Sequence, residues 1–436
     1  MHVIVAGSGL AGLVAALQAI ELDARVTLLE KGDQLGGSFI YSSGYVWSYK
    51  DLHTFRNEAP GGEISLQKLI LERLEPDIEW LEDRSGPALA RETGNPLTVG
   101  VRLDPQRTVA ALADRIAASG GRMLLGTALV GLVQDSTGRI TGAHTISAQE
   151  RRMERGDAVI LASGGFAANP DLVERYIIQG SGRMRLRAHP WSTGDGFLAA
   201  LEAGALASAG LDEFYGRNLP APPANFSPEE FVEVSQLYGR HAVAINRNGE
   251  RYADEAADWS ETALVRATVR QLGLRAWYVL DSRALQTRVR ERTVEEMVAT
   301  ARRVGGTVLR AESLEELAQS LAERRVPHAN VLRTLEEYNA AVRTGRELSP
   351  PRSAPAAPVQ APPFVAVEVA PAITHTVGGL AVDEGCRVLR RPDSNPLPGL
   401  YAAGVEVGGV STGGYTSGLA SALVFGKSAA ESAVGE

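Results

Sequence analysis

A short β-rich run, Val3–Ala6, leads directly into Gly7-Ser8-Gly9-Leu10-Ala11-Gly12, and a helical pattern from Leu13 to Leu22 follows. A second apolar strand, Arg25–Glu30, closes the unit on an acid eighteen residues after Gly12. The middle glycine lets the chain approach a pyrophosphate, and the helix N-terminus adds N–H donors and a partial positive charge. Glu30 is placed to accept hydrogen bonds from a ribose hydroxyl. Strand, glycine turn, helix, strand and acid in this order predict a dinucleotide site on an α/β fold.

The same stretch raises a rival reading, because Met1 to Ile20 carries no Asp, Glu, Lys or Arg. That is the length of a membrane span or a signal peptide. No Lys or Arg precedes it, however, and three glycines interrupt it at the dinucleotide spacing. The expectation is a cytoplasmic protein with no membrane span. With 44 Lys plus Arg against 52 Asp plus Glu, the net charge of -8 argues against nucleic acid, which needs clustered positive charge. A single cysteine, Cys386, rules out an internal disulfide, a four-thiolate zinc site and an iron–sulfur cluster. Any redox chemistry must use a bound organic cofactor.

Further along, a helix is expected from Val109 to Ser119 and strands at Arg122–Leu125, Ala128–Asp135 and Ala158–Ala162. Thr193-Gly194-Asp195 opens a helix from Gly196 to Ala203. Glycines thin out between Leu211 and Pro363. There Ser313 with Glu316 reads as a capping box for a helix through Leu321, and Val331–Val342 as another helix. Six prolines between Pro350 and Pro363 mark a linker without regular structure. Gly399-Leu400-Tyr401-Ala402-Ala403-Gly404 and a final helix from about Ser417 then restore the glycine-rich style. The simplest organisation is a nucleotide-binding domain split in sequence, 1–211 and 362–436, with a second domain, 212–361, inserted between its halves.

Seven motifs in order resemble the flavoprotein family of fumarate reductases, succinate dehydrogenases and 3-ketosteroid dehydrogenases. They are G-S-G-L-A-G with Glu30, Leu35-Gly36-Gly37-Ser38, L-A-S-G-G-F ending at Phe166, and T-G-D-G from Thr193. The others are G-E-R-Y-A-D-E from Gly249, H-T-V-G-G from His375, and G-L-Y-A-A-G-V-E ending at Glu406. The resemblance implies a Rossmann-like, glutathione-reductase-like FAD-binding domain with an inserted α+β cap, and FAD rather than NAD. A chain using NAD would normally finish its sheet with a second mononucleotide half, whereas here a glycine-rich strand-to-helix turn returns to the first.

What the resemblance implies for the cofactor maps residue by residue. Gly7, Gly9, Leu10, Ala11 and Gly12 belong to the pyrophosphate turn, with Glu30 and Lys31 after the second strand. Gly36, Gly37, Ser38, Ser43 and Gly44 form the following loop, and Val130 stands on a later strand. Ala162, Ser163 and Gly164 follow the buried strand, and Thr193 and Asp195 open the T-G-D-G helix. Gly404 and Glu406 lie beside the ribityl chain in the family, and Ser417, Gly418 and Leu419 begin a helix aimed at the isoalloxazine. A positive helix end there favours anionic reduced flavin. Succinate dehydrogenases attach FAD through a histidine in the loop that here runs Ser38 to Gly44; no histidine is present, so non-covalent FAD is expected.

Candidate catalytic residues come from the same comparison. Trp259 stands ten residues after Gly249, where fumarate reductases carry an arginine acid and ketosteroid dehydrogenases a tyrosine base. An indole N–H donates but does not ionise usefully, so Trp259 is either an aromatic pocket wall or ordinary packing. Tyr415 replaces a carboxylate-clamping arginine of fumarate reductases, as tyrosine does in ketosteroid dehydrogenases, where it polarises a ketone. His375 matches a substrate-binding histidine, or is a hydrogen-bonded turn residue. His189 reads as structural, Arg240 and His241 as lying on a strand approach to Asn246, and Arg183, Arg185 and Arg187 as a solvated face. The expectation is an FAD-dependent oxidoreductase acting on a CH–CH group beside a carbonyl of a small molecule. The alternatives are a reductase of unsaturated dicarboxylates and a flavin-binding redox sensor without turnover. The electron partner is open between oxygen, a quinone and another protein.

Overall fold

The computed structural model describes residues 1–436 except Gln149, Ser181 and Arg183. Two compact units emerge, one made of Met1–Ser181, Ala188–Tyr215 and His375–Glu436, the other of Gly182–Arg187 and Gly216–Thr374.

The first unit is built on a six-stranded sheet in the order Arg387–Leu389, Pro396–Ala402, Ala158–Leu161, His2–Ala6, Arg25–Leu29, Arg122–Leu124. All neighbours run parallel except the Arg387–Leu389 edge. Val3, Ile4, Val5 and the whole of Ala158–Leu161 are buried, as expected of a parallel sheet covered on both faces. The helix Leu10–Glu21 is buried continuously from Leu10 to Ala19. The last helix, Gly418–Gly435, packs on it so closely that a Cβ on Gly426 would lie 2.7 Å from the Ala11 carbonyl oxygen. The C-terminal segment therefore rejoins the first half of the sheet. The helix Pro105–Ala118 begins before Val109 because Asp104 caps it and Pro105 fills its first turn. A three-stranded antiparallel sheet, Thr127–Gln134, Ile140–Ser147 and Glu150–Arg155, and a hairpin-like pair, Tyr45–Tyr49 with Thr98–Arg102, complete the unit with the helix Ile64–Ser85. The sequence pattern announces neither that pair nor that helix, which contains Pro76.

In the second unit, strand Ala276–Leu280 pairs with Val243–Ile245 and with the long strand Phe364–Thr376. Its side chains alternate between two cores: Ala276, Tyr278 and Leu280 in one, Trp277 and Val279 in the other. The helices Val294–Arg303, Leu314–Ala322 and His328–Thr344 cover this doubly buried sheet.

Several expectations are corrected here. The units do not follow the expected bounds: strand Phe364–Thr376 stays with the second unit to Thr374, because its first part hydrogen-bonds to Ala276–Leu280 and Val308–Ala311. The excursion Gly182–Arg187 joins that unit by pairing Arg185 and Leu186 with Ala372 and Ile373. Only half of the capping box forms, since Ser313 Oγ accepts the Glu316 N–H while the Glu316 carboxylate takes the Glu312 N–H. Arg240 and His241 occupy a single 3-10 turn, not a strand. Arg183 lies outside the described residues; Arg185 and Arg187 are half-buried rather than solvated, Arg185 over the Phe226 ring and Arg187 on Ser235 Oγ.

The glycine turn generates a first prediction. A Cβ on Gly12 would sit 1.8 Å from the Gly7 carbonyl oxygen, so Gly12→Ala must push helix and strand apart. Overpacking of this kind costs about 1–3 kcal/mol. Lower flavin content in the purified variant and a lower melting temperature are expected; unchanged values of both would refute the close approach.

Candidate functional site

The turn after the first strand is shaped by backbone contact. Gly7 has φ +107, and a Cβ there would meet the Ala162 carbonyl oxygen at 2.3 Å. At Gly9, by contrast, a Cβ would meet nothing within 4 Å, so open space faces the middle glycine. Gly9 begins helix Leu10–Glu21 without a side-chain cap, and its first-turn N–H groups, from Leu10, Ala11 and Gly12, face that end unaided by a side chain. Gly36, with φ +108, donates its N–H to the Ser8 carbonyl, and the Cβ position of Gly37 lies 3.2 Å from Gly9 Cα.

Glu30 is buried, and its carboxylate already accepts from Ser8 N–H at 3.0 Å, Ser8 Oγ–H at 2.5 Å and Gly32 N–H at 2.7 Å. With about four acceptor sites on a carboxylate, it holds the loop and keeps one site for a further donor. Lys31 Nζ is fixed by Thr193 Oγ1 at 2.7 Å and Asp195 at 2.8 Å. Ser38 Oγ accepts the His189 N–H at 2.9 Å, and the His189 ring stacks on Tyr41, a structural role. Ser43 carbonyl accepts from Arg102, and Gly44, φ +77, lies against the Leu103 carbonyl. Val130 is the odd residue of a bulge between Leu129 and Gly131, which keeps its backbone out of the strand ladder, and it is exposed.

A second buried acid lies behind the turn. Glu406 Oε1 accepts from Ser163 Oγ–H at 2.5 Å and Gly165 N–H at 3.1 Å, while Ser163 Oγ takes the Gly196 N–H at 3.2 Å. Glu406 Oε2 is buried without a hydrogen-bond partner among the described residues. Burial pushes this carboxyl above the usual range, opposed by Ser163 and Gly165. Gly164, φ +91, faces Ser192, and Gly404, φ +62, fits against Ala11 where a Cβ would come within 2.8 Å.

At the start of the last helix, Ser417 caps with its Oγ on the Ala420 N–H and donates to the Tyr45 carbonyl at 3.1 Å. Gly418 lies against His375, whose Nε2 would be 3.1 Å from a Cβ there; Leu419 is half-buried beside it. His375 gives its Nδ1–H to the Thr376 carbonyl at 3.0 Å. Tyr415 stacks on Tyr215 with ring centres 3.7 Å apart and 8° between planes, and His375 lies 5.1 Å from Tyr215 and 6.0 Å from Tyr415. Trp47 meets Tyr415 edge-on at 5.6 Å, and Tyr49 Oη donates to the Tyr415 carbonyl at 2.8 Å. The structure thus brings Tyr415 and His375 together and adds three aromatic residues that sequence reasoning missed. For two of them a signal exists: Tyr45, Trp47 and Tyr49 alternate along one strand face. Tyr215 has none.

Trp259 belongs to the second unit, where it is 45% exposed beneath the Arg240 guanidinium at 4.5 Å. Two residues on, Glu261 is buried, and burial pushes its carboxyl up to about 7 against the pull of the Arg217 charge and the Arg240 N–H.

An uncapped glycine turn, two buried acids with acceptor capacity and a returning helix define an α/β protein that holds an adenine dinucleotide. The family follows from comparison: a model described as "FAD binding domain" matches residues 2–64 and 66–421, and the chain belongs to that family. FAD is its cofactor. NADH:acrylate oxidoreductase of Vibrio harveyi is 28% identical over 95% of this chain and 41% of its own length, so the chain spans less than half of that relative. Vinyl phenol reductase of Lactiplantibacillus plantarum is 25% identical over 95% of this chain and 91% of the relative. The fold is that of 3-ketosteroid delta1-dehydrogenase from Sterolibacterium denitrificans, at TM-score 0.79 and 19% identity over 99% of both chains. Among the described residues no helix is long and apolar enough to cross a membrane.

The residues fit FAD at three points: open space before Gly9, an unpartnered buried Glu406 oxygen, and an unladdered Val130 backbone. The loop from Ser38 to Gly44 offers no imidazole for attachment. Acid precipitation is therefore expected to leave all flavin fluorescence in the supernatant; flavin retained in the protein pellet would overturn non-covalent binding.

Proposed function

We propose that this protein moves hydride between FAD and a carbon adjacent to a carbonyl, making or reducing a C=C bond in a ketone or a monocarboxylate. The observation that carries this reading is the aromatic group at the start of the last helix. Tyr415, stacked on Tyr215 and beside His375, stands where the resemblance places a carboxylate-clamping arginine. In the same reading the Gly9 turn and helix Leu10–Glu21 hold the pyrophosphate, Glu30 a ribose, the Val130 backbone the adenine, and Glu406 the ribityl hydroxyls. Bound FAD supplies the two-electron step at flavin N5.

The chain's own residues position and polarise. The Tyr415 phenol donates to the substrate carbonyl oxygen as negative charge develops on it. His375, with Nδ1–H committed to Thr376, turns Nε2 toward Gly418 as an acceptor. The flat rings of Tyr215, Tyr415 and Trp47 favour an apolar or aromatic substrate body over a second carboxylate. Acrylate carries one carboxylate and a vinyl phenol none, so the names of these two relatives are in keeping with a substrate that lacks a second carboxylate.

Loss of one such donor costs about 2.7–4 kcal/mol, so Tyr415→Phe should lower turnover roughly a hundred- to a thousandfold with the flavin spectrum intact. Turnover within about threefold of wild type would remove the phenol from the chemistry. Each missing charge-assisted hydrogen bond costs about 1.5–3 kcal/mol. With both arginine positions occupied by Trp259 and Tyr415, fumarate should bind roughly a hundred- to ten-thousandfold more weakly than in a dicarboxylate enzyme. Under anaerobic conditions, chemically reduced flavin should stay reduced on addition of millimolar fumarate. Rapid, saturable re-oxidation would favour a dicarboxylate reductase. A panel of enones, aryl-alkenes and unsaturated monocarboxylates in the same assay identifies the substrate, and a flavin that exchanges electrons with none of them points to a sensor.

A further inference from the structure

Trp191 is an exposed aromatic residue that the proposed chemistry does not use. It lies at 45% exposure just before the T-G-D-G helix, far in sequence from the second strand, yet it is packed against that strand's end. A Cβ on Gly32 would lie 3.0 Å from Trp191 Cδ1, 3.2 Å from its Nε1 and 3.2 Å from Glu30 Oε1. The indole edge therefore borders the loop that carries the buried acid. Lys31 Nζ stands 5.4 Å from the indole ring centre, and Thr193 and Asp195 hold that ammonium in place. The Trp191 N–H faces His189 Nδ1 at 3.4 Å, which fixes the backbone on the other side. A large ring is thus anchored at its edge and along its chain and still offers apolar surface to solvent.

The same loop is the starting point of the strand that carries the bulge. Gly126 N–H donates to the Gly32 carbonyl at 2.8 Å and Thr127 N–H to the Glu30 carbonyl at 2.8 Å, and Val130 follows three residues on. An acid at the end of the second strand of a β-α-β dinucleotide unit marks the adenosine ribose. The geometry points to Trp191 as a binding residue for the adenosine half of FAD, its indole giving the adenosine an apolar face beside Glu30. Lys31 sets the orientation of that face through its cation–π contact and is itself set by Asp195. With no covalent attachment, such a face slows release of the cofactor.

The test uses the holoenzyme and reads binding rather than turnover. Serial dilution with flavin fluorescence gives the FAD dissociation constant. Trp191→Ala should raise it about 10- to 100-fold, the usual size for loss of an aromatic face under a base. Trp191→Phe keeps a π-face and should stay within about threefold, whereas Trp191→Leu keeps bulk without it and should behave like alanine. Added ADP, which carries the adenosine and no flavin, should displace FAD from the wild type and lose potency in Trp191→Ala. Release of FAD should also raise tryptophan emission less in Trp191→Phe than in the wild type. Dissociation constants within about twofold across all three variants would overturn the assignment. So would a leucine variant equal to wild type beside a weakened alanine variant, which would mean packing of the Lys31–Gly32 loop alone.

Discussion

Backbone meeting backbone at Gly7, Gly12 and Ala162 is the constraint on which the first unit depends. With no side chain at Gly12 its helix descends onto the Gly7 carbonyl, and with none at Gly7 the first strand closes on Ala162. The rest is hung from that contact. Gly36 pairs with Ser8, Gly404 nests against Ala11, and Gly426 brings the last helix onto the Ala11 carbonyl. A methyl group at Gly7, Gly404 or Gly426 would press on residues more than one hundred positions away in the chain. The glycines cost conformational entropy, and the return is close-packed parallel strands with an open N–H-lined helix end at Gly9.

Two buried carboxyls then divide the electrostatic work. Glu30 spends three acceptor sites on Ser8 and Gly32, so it builds the loop as well as keeping one site for a further donor. Glu406 is held at one oxygen and bare at the other, and burial raises its affinity for a proton. Full burial of a carboxyl with one unpaired oxygen is costly unless a further polar group arrives. On the reading proposed above that group belongs to the cofactor, and cofactor binding then stabilises the fold by mass action.

At the start of the last helix, aromatic rings stand where the resemblance leads one to expect fixed positive charge. Stacking of Tyr215 on Tyr415, with Trp47 edge-on and Tyr49 on the Tyr415 carbonyl, orients a phenol at the start of the last helix. Gly100 opposite Trp47 on the neighbouring strand leaves the room this needs, since a Cβ there would lie 2.9 Å from Trp47 Cβ. On the proposed reading, a rigid, uncharged wall of this type selects against a doubly charged substrate more than it selects for any single neutral one.

Local signals were legible in the sequence by itself. The glycine turn, its strand and helix, the acid at Glu30, the T-G-D-G helix and the proline-rich stretch follow from conformational freedom, period and capping, which act over a few residues. So did the identity of Tyr415 and His375 as residues to watch, through motif order. The sequence did not place Tyr215 or Trp191, did not join Lys31 to Asp195, and set the return crossing at 362 rather than after Thr374. It also read Arg185 and Arg187 as solvated, because alternation along a strand cannot say which face another strand will cover. Those outcomes depend on contacts between residues far apart in the chain, whose closure is decided by packing of whole elements. What the sequence by itself determined is the local geometry of a dinucleotide turn; which aromatic rings gather at the start of the last helix only the tertiary structure decided.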